Sequence, residues 1–274
     1  MRPEAFFLPL IPASGGLRFG VFYPAQGPLR ASVLYIHPLA QEMNKARRMA
    51  ALQARALARQ GCAVLQLDLL GCGDSAGDFA QATWSHWVGD VVQASQWLRQ
   101  HSGAEAVPLW LWGLRAGCLL AVAAAAELQT PCHFLFWQPP LSGQTVLQQF
   151  LRLKLTSDWL NNPTQGLMTE LRQQLANGQS VDVAGYQLSP ALAHGLAQAT
   201  LAPPTLQTPG QQLAWFECSA APESALARTT LSDWQQAGFA VQRHSVPGPA
   251  FWHSSDIEES PALISASAGA VCAA

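Results

Sequence analysis

Apolar residues in this chain fall into two rhythms that alternate along its length. Near-continuous apolar runs at 18–24 (RFGVFYP), 31–38 (ASVLYIHP), 62–75 (CAVLQLDLLGCGDS, entering a glycine-rich loop), 107–113 (VPLWLWG) and 132–139 (CHFLFWQP) predict strands. Between them, 40–61, 82–103 and 116–128 space their apolar residues as helices do, and the first two end at a glycine. Strands that are apolar throughout, separated by helices, predict a mostly parallel sheet covered on both faces. The alternation stops at 140. Residues 140–210 carry helical fragments broken by NNP, SP and APPTLQTPG, which we read as a helical cap inserted over one edge of the sheet. It resumes with strands at 211–218 and 239–248 and helices near 223–237 and 257–272. The expected organisation is an α/β core of residues 1–139 and 211–274 with a cap of 140–210.

Composition narrows the function classes. With 274 residues, 49% hydrophobic and only 12% charged, the chain can bury a large core. A net charge of −2 supplies no basic face for phosphates, so no nucleic-acid partner is expected. The six cysteines (62, 72, 118, 132, 218, 272) and seven histidines show no metal-ligand spacing, and nothing calls for a cofactor. Buried free thiols are the expectation. No run reaches the 18 or so apolar residues of a membrane span. The opening MRPEAFFLPLIPASGG holds an apolar stretch, but two prolines interrupt it and Glu4 precedes it; the expected location is cytoplasmic.

The chemistry-bearing stretch is LWLWGLRAGC at 109–118, a buried strand turning sharply into a helix. Its Gly113-Leu114-Arg115-Ala116-Gly117 has the glycine frame of the G-x-S-x-G nucleophile elbow, with arginine at the centre. Asp68-Leu-Leu-Gly71-Cys-Gly73-Asp-Ser75 follows the preceding strand as a D-x-x-G-x-G-x-S loop, and His37-Pro38-Leu39 stands where an oxyanion loop opens. These landmarks resemble the α/β-hydrolase fold. HPLAQEMNKARRMAALQARALA, LDLLGCGDSAGDF, LWLWGLRAG and VPGPAFW…DIEESPALI together resemble the exosortase A system-associated hydrolase 2 group of bacteria. The resemblance implies a link to exopolysaccharide and protein-sorting systems, with a partner protein of such a pathway.

An acyl hydrolase of this fold needs a nucleophile, a histidine base, an acid and two backbone donors. The nucleophile is missing, because a guanidinium stays protonated and cannot attack a carbonyl. Ser75 reads as a loop-closing residue and Cys118 as core. His253, on the loop after the last strand, is the candidate base, set against an ordinary loop histidine. The SAAPES directly after strand 211–218 holds no aspartate; Glu217 and Glu223 are the nearby carboxylates, with Glu217 the candidate acid. The Leu39 and Ala116 amides are the candidate oxyanion donors.

Arginine at a helix N-terminus opposes the helix dipole by roughly 0.3–1 kcal/mol, so an anion is expected beside it. Two sources are open: Glu42, closing the old site from within, or a small-molecule ligand bearing a carboxylate, a phosphate or an acidic sugar. His37 and Glu42 are placed in the same pocket. Three functions follow. The first is a protein without Ser-His-acid chemistry and with an anion-capable pocket. The second is a hydrolase of ester, acyl or glycan-linked substrates, with Arg115 as electrophilic clamp and His253 activating water. The third is an interaction module docking a partner through its cap, which requires a closed pocket, a Glu42–Arg115 ion pair and a contiguous apolar patch on 140–210.

Overall fold

A computed structural model describes residues 2–9, 16–103, 106–159, 166–205, 207–219, 224–254 and 256–273, without the side chains of 155–159. Its spine is an eight-stranded sheet in the order β1-β2-β4-β3-β5-β6-β9-β10. The strands are β1 (Glu4–Pro9), β2 (Leu17–Tyr23), β3 (Ala31–Ile36), β4 (Cys62–Leu67), β5 (Leu109–Leu114), β6 (Cys132–Trp137), β9 (Gln212–Glu217) and β10 (Ala240–Ser245). From β4 to β10 every pairing is parallel; β1 and β2 are antiparallel additions at one edge. This is the mixed, mostly parallel α/β-hydrolase sheet.

The helices α1 (Gln41–Arg59), α2 (Trp84–Ser102), α3 (Ala116–Ala125), α7 (Ala225–Gln236) and α8 (Pro261–Cys272) flank it. They enclose two cores. One gathers Trp87, Val91, Leu119, Phe134 and Trp234 on the face covered by α2 and α3. The other gathers Met49, Leu57, Trp110, Trp112, Trp137 and Leu263 under α1 and α8. Strands β3 and β5 are buried at every position because both faces are covered, which is why their sequences do not alternate. Trp112, Trp137 and Trp215 are fully buried and belong to these cores.

Between β6 and β9 the chain forms α4 (Gly143–Trp159), α5 (Leu167–Ala176), a short hairpin of β7 (Val181–Val183) and β8 (Tyr186–Leu188), and α6 (Pro190–Gln198). The hairpin and β1 depart from the elements expected from the sequence. The hairpin strands are too short to show a period. Strand β1 is formed by the proline-flanked apolar stretch of residues 4–9, and an edge position tolerates Pro9 at its end. Phe6 on β1 stacks on Trp97 of α2 with ring centroids 4.5 Å apart, which ties that edge to the core.

The landmark loop after β4 is a structural knot. Asp90 of α2 and Arg18 of β2 form a fully buried ion pair at 2.8 Å, and Asp90 also accepts from the Leu70 amide. Ser75 donates to the Asp68 carbonyl and accepts from the Phe19 amide, so its hydroxyl serves the loop. No described helix is long and apolar enough to cross a membrane, and the described residues contain no cluster suited to a metal.

Helix α3 lies so close to β3 that a Cβ on Gly117 would sit 2.1 Å from the Ile36 carbonyl oxygen, a backbone atom that cannot step aside. Gly117→Ala is therefore expected to lose about 2–3 kcal/mol of stability in urea unfolding, as overpacking does. An unchanged midpoint would contradict this packing.

Candidate functional site

The C-terminal end of β5 turns into α3 at a single residue, Arg115, whose backbone holds φ 52° and ψ −122°. A side chain with positive φ outside the left-handed helical region is strained, and such strain persists where the surroundings over-determine it. Here the Arg115 amide donates to the Trp137 carbonyl at 3.0 Å and its carbonyl accepts from Cys118 at 2.9 Å. Gly113 and Gly117 permit the crossing, since a Cβ on either would strike backbone. The elbow geometry is thus built by its frame, whatever side chain stands at its apex. Ala40, at the start of α1, repeats the conformation with φ 52° and ψ −124°. Two similarly strained turns therefore open the two helices whose first residues meet below α4.

They meet at a cavity lined by Leu39, Gln41 and Glu42 from the α1 turn, Arg115 from the elbow, Val146, Gln149, Phe150 and Leu153 from α4, and His253 from the loop before α8. Its volume is about 40 Å³, room for a few water-sized groups. Pockets that enclose drug-sized ligands run to roughly 300 Å³ and more.

Glu42 occupies the centre. Its carboxylate lies 3.6 Å from Arg115 Nε and 3.3 Å from His253 Nε2. The Arg115 guanidinium donates from Nη2 to Gln149 Oε1 at 2.6 Å and stands 6.0 Å from the centre of the Trp252 ring. At 3.6 Å the contact to Glu42 is an ion pair without a hydrogen bond, and Nε has no hydrogen-bond partner. The Arg115 and Glu42 side chains are only 12% and 13% exposed, so each is the other's main neutralising charge.

Burial pushes the Glu42 carboxyl up to about 7, against the pull of Arg115 and, more weakly, Lys45. Partial burial pushes the His253 imidazole down, with the Arg115 and Lys45 cations adding to it. A carboxyl raised and an imidazole lowered, 3.3 Å apart, shift a shared proton towards Glu42. Lys45 holds the loop in place by donating to the His253 carbonyl at 2.8 Å.

The structure therefore brings together Arg115, Glu42, His253 and Leu39. Ala116 follows Arg115 as the first residue of α3, so its amide is among the orphan donors of that helix. His37 does not reach the cavity. It is buried on the other side of the turn, bonded through Nδ1 to the Pro38 carbonyl at 2.8 Å and accepting through Nε2 from the Leu69 amide at 3.3 Å. Glu217, at the end of β9, is ion-paired with Arg243 of β10 and does not line the cavity. Glu223 lies outside the described residues. Cys118 is fully buried in α3, and burial raises its thiol far from a reactive thiolate. Gln149 was not foreseen: no local signal says that α4 crosses the elbow. Among the described residues the large exposed hydrophobics are Phe7, Leu17, Leu226 and Ile257, none of them in 140–210.

An eight-stranded, mostly parallel sheet with an elbow after β5 defines an α/β-hydrolase fold. Residues 27–200, more than half of the chain, match the model of the serine aminopeptidase S33 family, and the protein belongs to that family. Solved structures of the same fold cover nearly all of it at low identity. A lidless α/β serine hydrolase of Xanthomonas campestris is 16% identical over 97% of this chain and 91% of its own, with a TM-score of 0.55. A soluble variant of monoglyceride lipase from Saccharomyces cerevisiae, in complex with a substrate analogue, is 14% identical over 100% and 94%, TM-score 0.60. Est1E of Butyrivibrio proteoclasticus, with ferulic acid bound, is 12% identical over 98% and 97%, TM-score 0.62. No curated protein matches the sequence.

The raised Glu42 carboxyl has a stability signature. Its unfolded value is near 4.5 and its folded value about 7, so the folded state binds more protons between them. The stability it contributes is fully present below about 4.5 and is lost as the pH rises through about 7. In urea unfolding of Glu42→Gln against wild type, the difference should move in the variant's favour by roughly 2–3 kcal/mol between about pH 4.5 and pH 8. A pH-independent difference would mean that Glu42 titrates as an exposed carboxylate does.

Proposed function

We propose that this protein is a binder built on a hydrolase scaffold: it lacks Ser-His-acid chemistry and uses the elbow pocket to hold a small anionic ligand. The observation that carries this reading is Arg115 at the apex of the strained elbow turn, facing a largely buried carboxylate in a small cavity under α4. Where the fold's chemistry needs a nucleophile there is a permanent cation, and a carboxylate answers its charge. A guanidinium fork beside the N-termini of two helices is suited to a carboxylate or phosphate. Glu42 then acts as a resident stand-in for the ligand's anionic group. The strings that resemble the exosortase A system-associated hydrolase 2 group are the basis for placing the protein in a bacterial surface-polysaccharide pathway, with a partner protein of that pathway and a cytoplasmic location.

One observation favours a second reading. The His253–Glu42 contact at 3.3 Å is the geometry of a general-base pair, and Arg115 beside it could polarise a carbonyl. In that reading the protein hydrolyses an ester or acyl substrate by direct attack of water. Turnover of short- and medium-chain p-nitrophenyl esters by wild type, Arg115→Ala and His253→Ala separates the two. The binding reading expects no rate above buffer from any of the three. Wild-type turnover lost in both variants would overturn it in favour of direct hydrolysis.

A further inference from the structure

The charges around Glu42 determine what a ligand must bring with it. From α1 they are Glu42 itself and Lys45, whose amine is exposed and held on the His253 carbonyl. The elbow contributes Arg115, and the loop before α8 contributes His253. Helix α4 presents Gln149 and the apolar Val146, Phe150 and Leu153. The buried part of the site thus contains one permanent cation and one carboxylate, which neutralise each other. A second anion placed on Arg115 leaves two buried negative charges facing one positive charge, and burying an uncompensated charge is strongly unfavourable.

We infer that an aliphatic carboxylate enters this pocket by displacing the Glu42 carboxylate from Arg115, and that the Glu42–His253 pair takes up one proton as it does so. The inference rests on the binding reading above. A carboxylate is the class favoured because the site already seats one there, and the walls of α4 beside it suit a hydrocarbon tail. The charges balance: the ligand anion pairs with Arg115, and the displaced Glu42 becomes either a neutral acid or the partner of a protonated His253. In both cases one proton leaves solvent, forming an O–H or N–H bond within the pair 3.3 Å apart. The raised Glu42 carboxyl is the same tendency seen without a ligand.

Butyrate is the probe, with butyramide as its uncharged control. Calorimetric titration into wild-type protein in HEPES and in Tris, whose ionisation heats differ, counts the protons exchanged. The expected result is uptake approaching one proton per butyrate at about pH 8, with affinity falling nearly tenfold per pH unit above neutrality. Glu42→Gln removes the competing anion and the proton acceptor together. It should bind at least tenfold more tightly than wild type at about pH 8.5, without proton uptake and without pH dependence. Arg115→Gln should not bind, and butyramide should not compete. Butyrate binding by wild type with no proton uptake would overturn the coupling and leave the binding reading standing. If neither wild type nor Glu42→Gln bound butyrate, both would fall.

Discussion

A guanidinium at the start of a buried helix is held against the helix dipole and out of water, so it needs an anion close by. In this protein the anion is Glu42, delivered by the first turn of α1 across the mouth of the sheet. The rest of the site depends on that pairing. It sets the charge of the cavity, places the carboxylate beside His253, and leaves Gln149 of α4 to satisfy the far side of Arg115. The backbone underneath is indifferent to it. Gly113 and Gly117 allow α3 to pass close to β3 and β5, and the turn between them is strained whether serine or arginine occupies its apex.

Scaffold and chemistry have separate physical causes here. The sheet, its two cores and the elbow follow from close packing of apolar strands and helices. Catalysis in this fold follows from one hydroxyl, one imidazole and one carboxylate meeting at the elbow. A guanidinium at that position is an electrophilic partner and never a nucleophile, because it stays protonated. Belonging to a hydrolase family therefore speaks to the architecture of this chain and not to its chemistry.

The strands of the parallel sheet were legible because burial on both faces writes continuous apolar runs, and the elbow was legible because its glycines are demanded by backbone contacts. Strand β1 was not, since its prolines are permitted only by an edge position that pairing with β2 creates. The β7–β8 hairpin is too brief to carry a period. Arg115 announced itself by standing in a serine's place, and the electrostatic need for an anion left Glu42 or a bound ligand as its source. Gln149 was invisible because the path of α4 over the elbow is tertiary. Glu217 occupies the strand end where an acid is looked for, but its neighbour on β10 is Arg243, and parallel pairing of β9 with β10 joins the two.

The pairing of Arg115 with Glu42 is measured most directly by a double-mutant cycle of Arg115→Gln and Glu42→Gln in urea unfolding. The account predicts a coupling of about 1–3 kcal/mol at about pH 8, shrinking towards zero near pH 4.5 as Glu42 takes up its proton. A coupling near zero at both pH values would contradict it, and the guanidinium at the elbow would then have no internal anion.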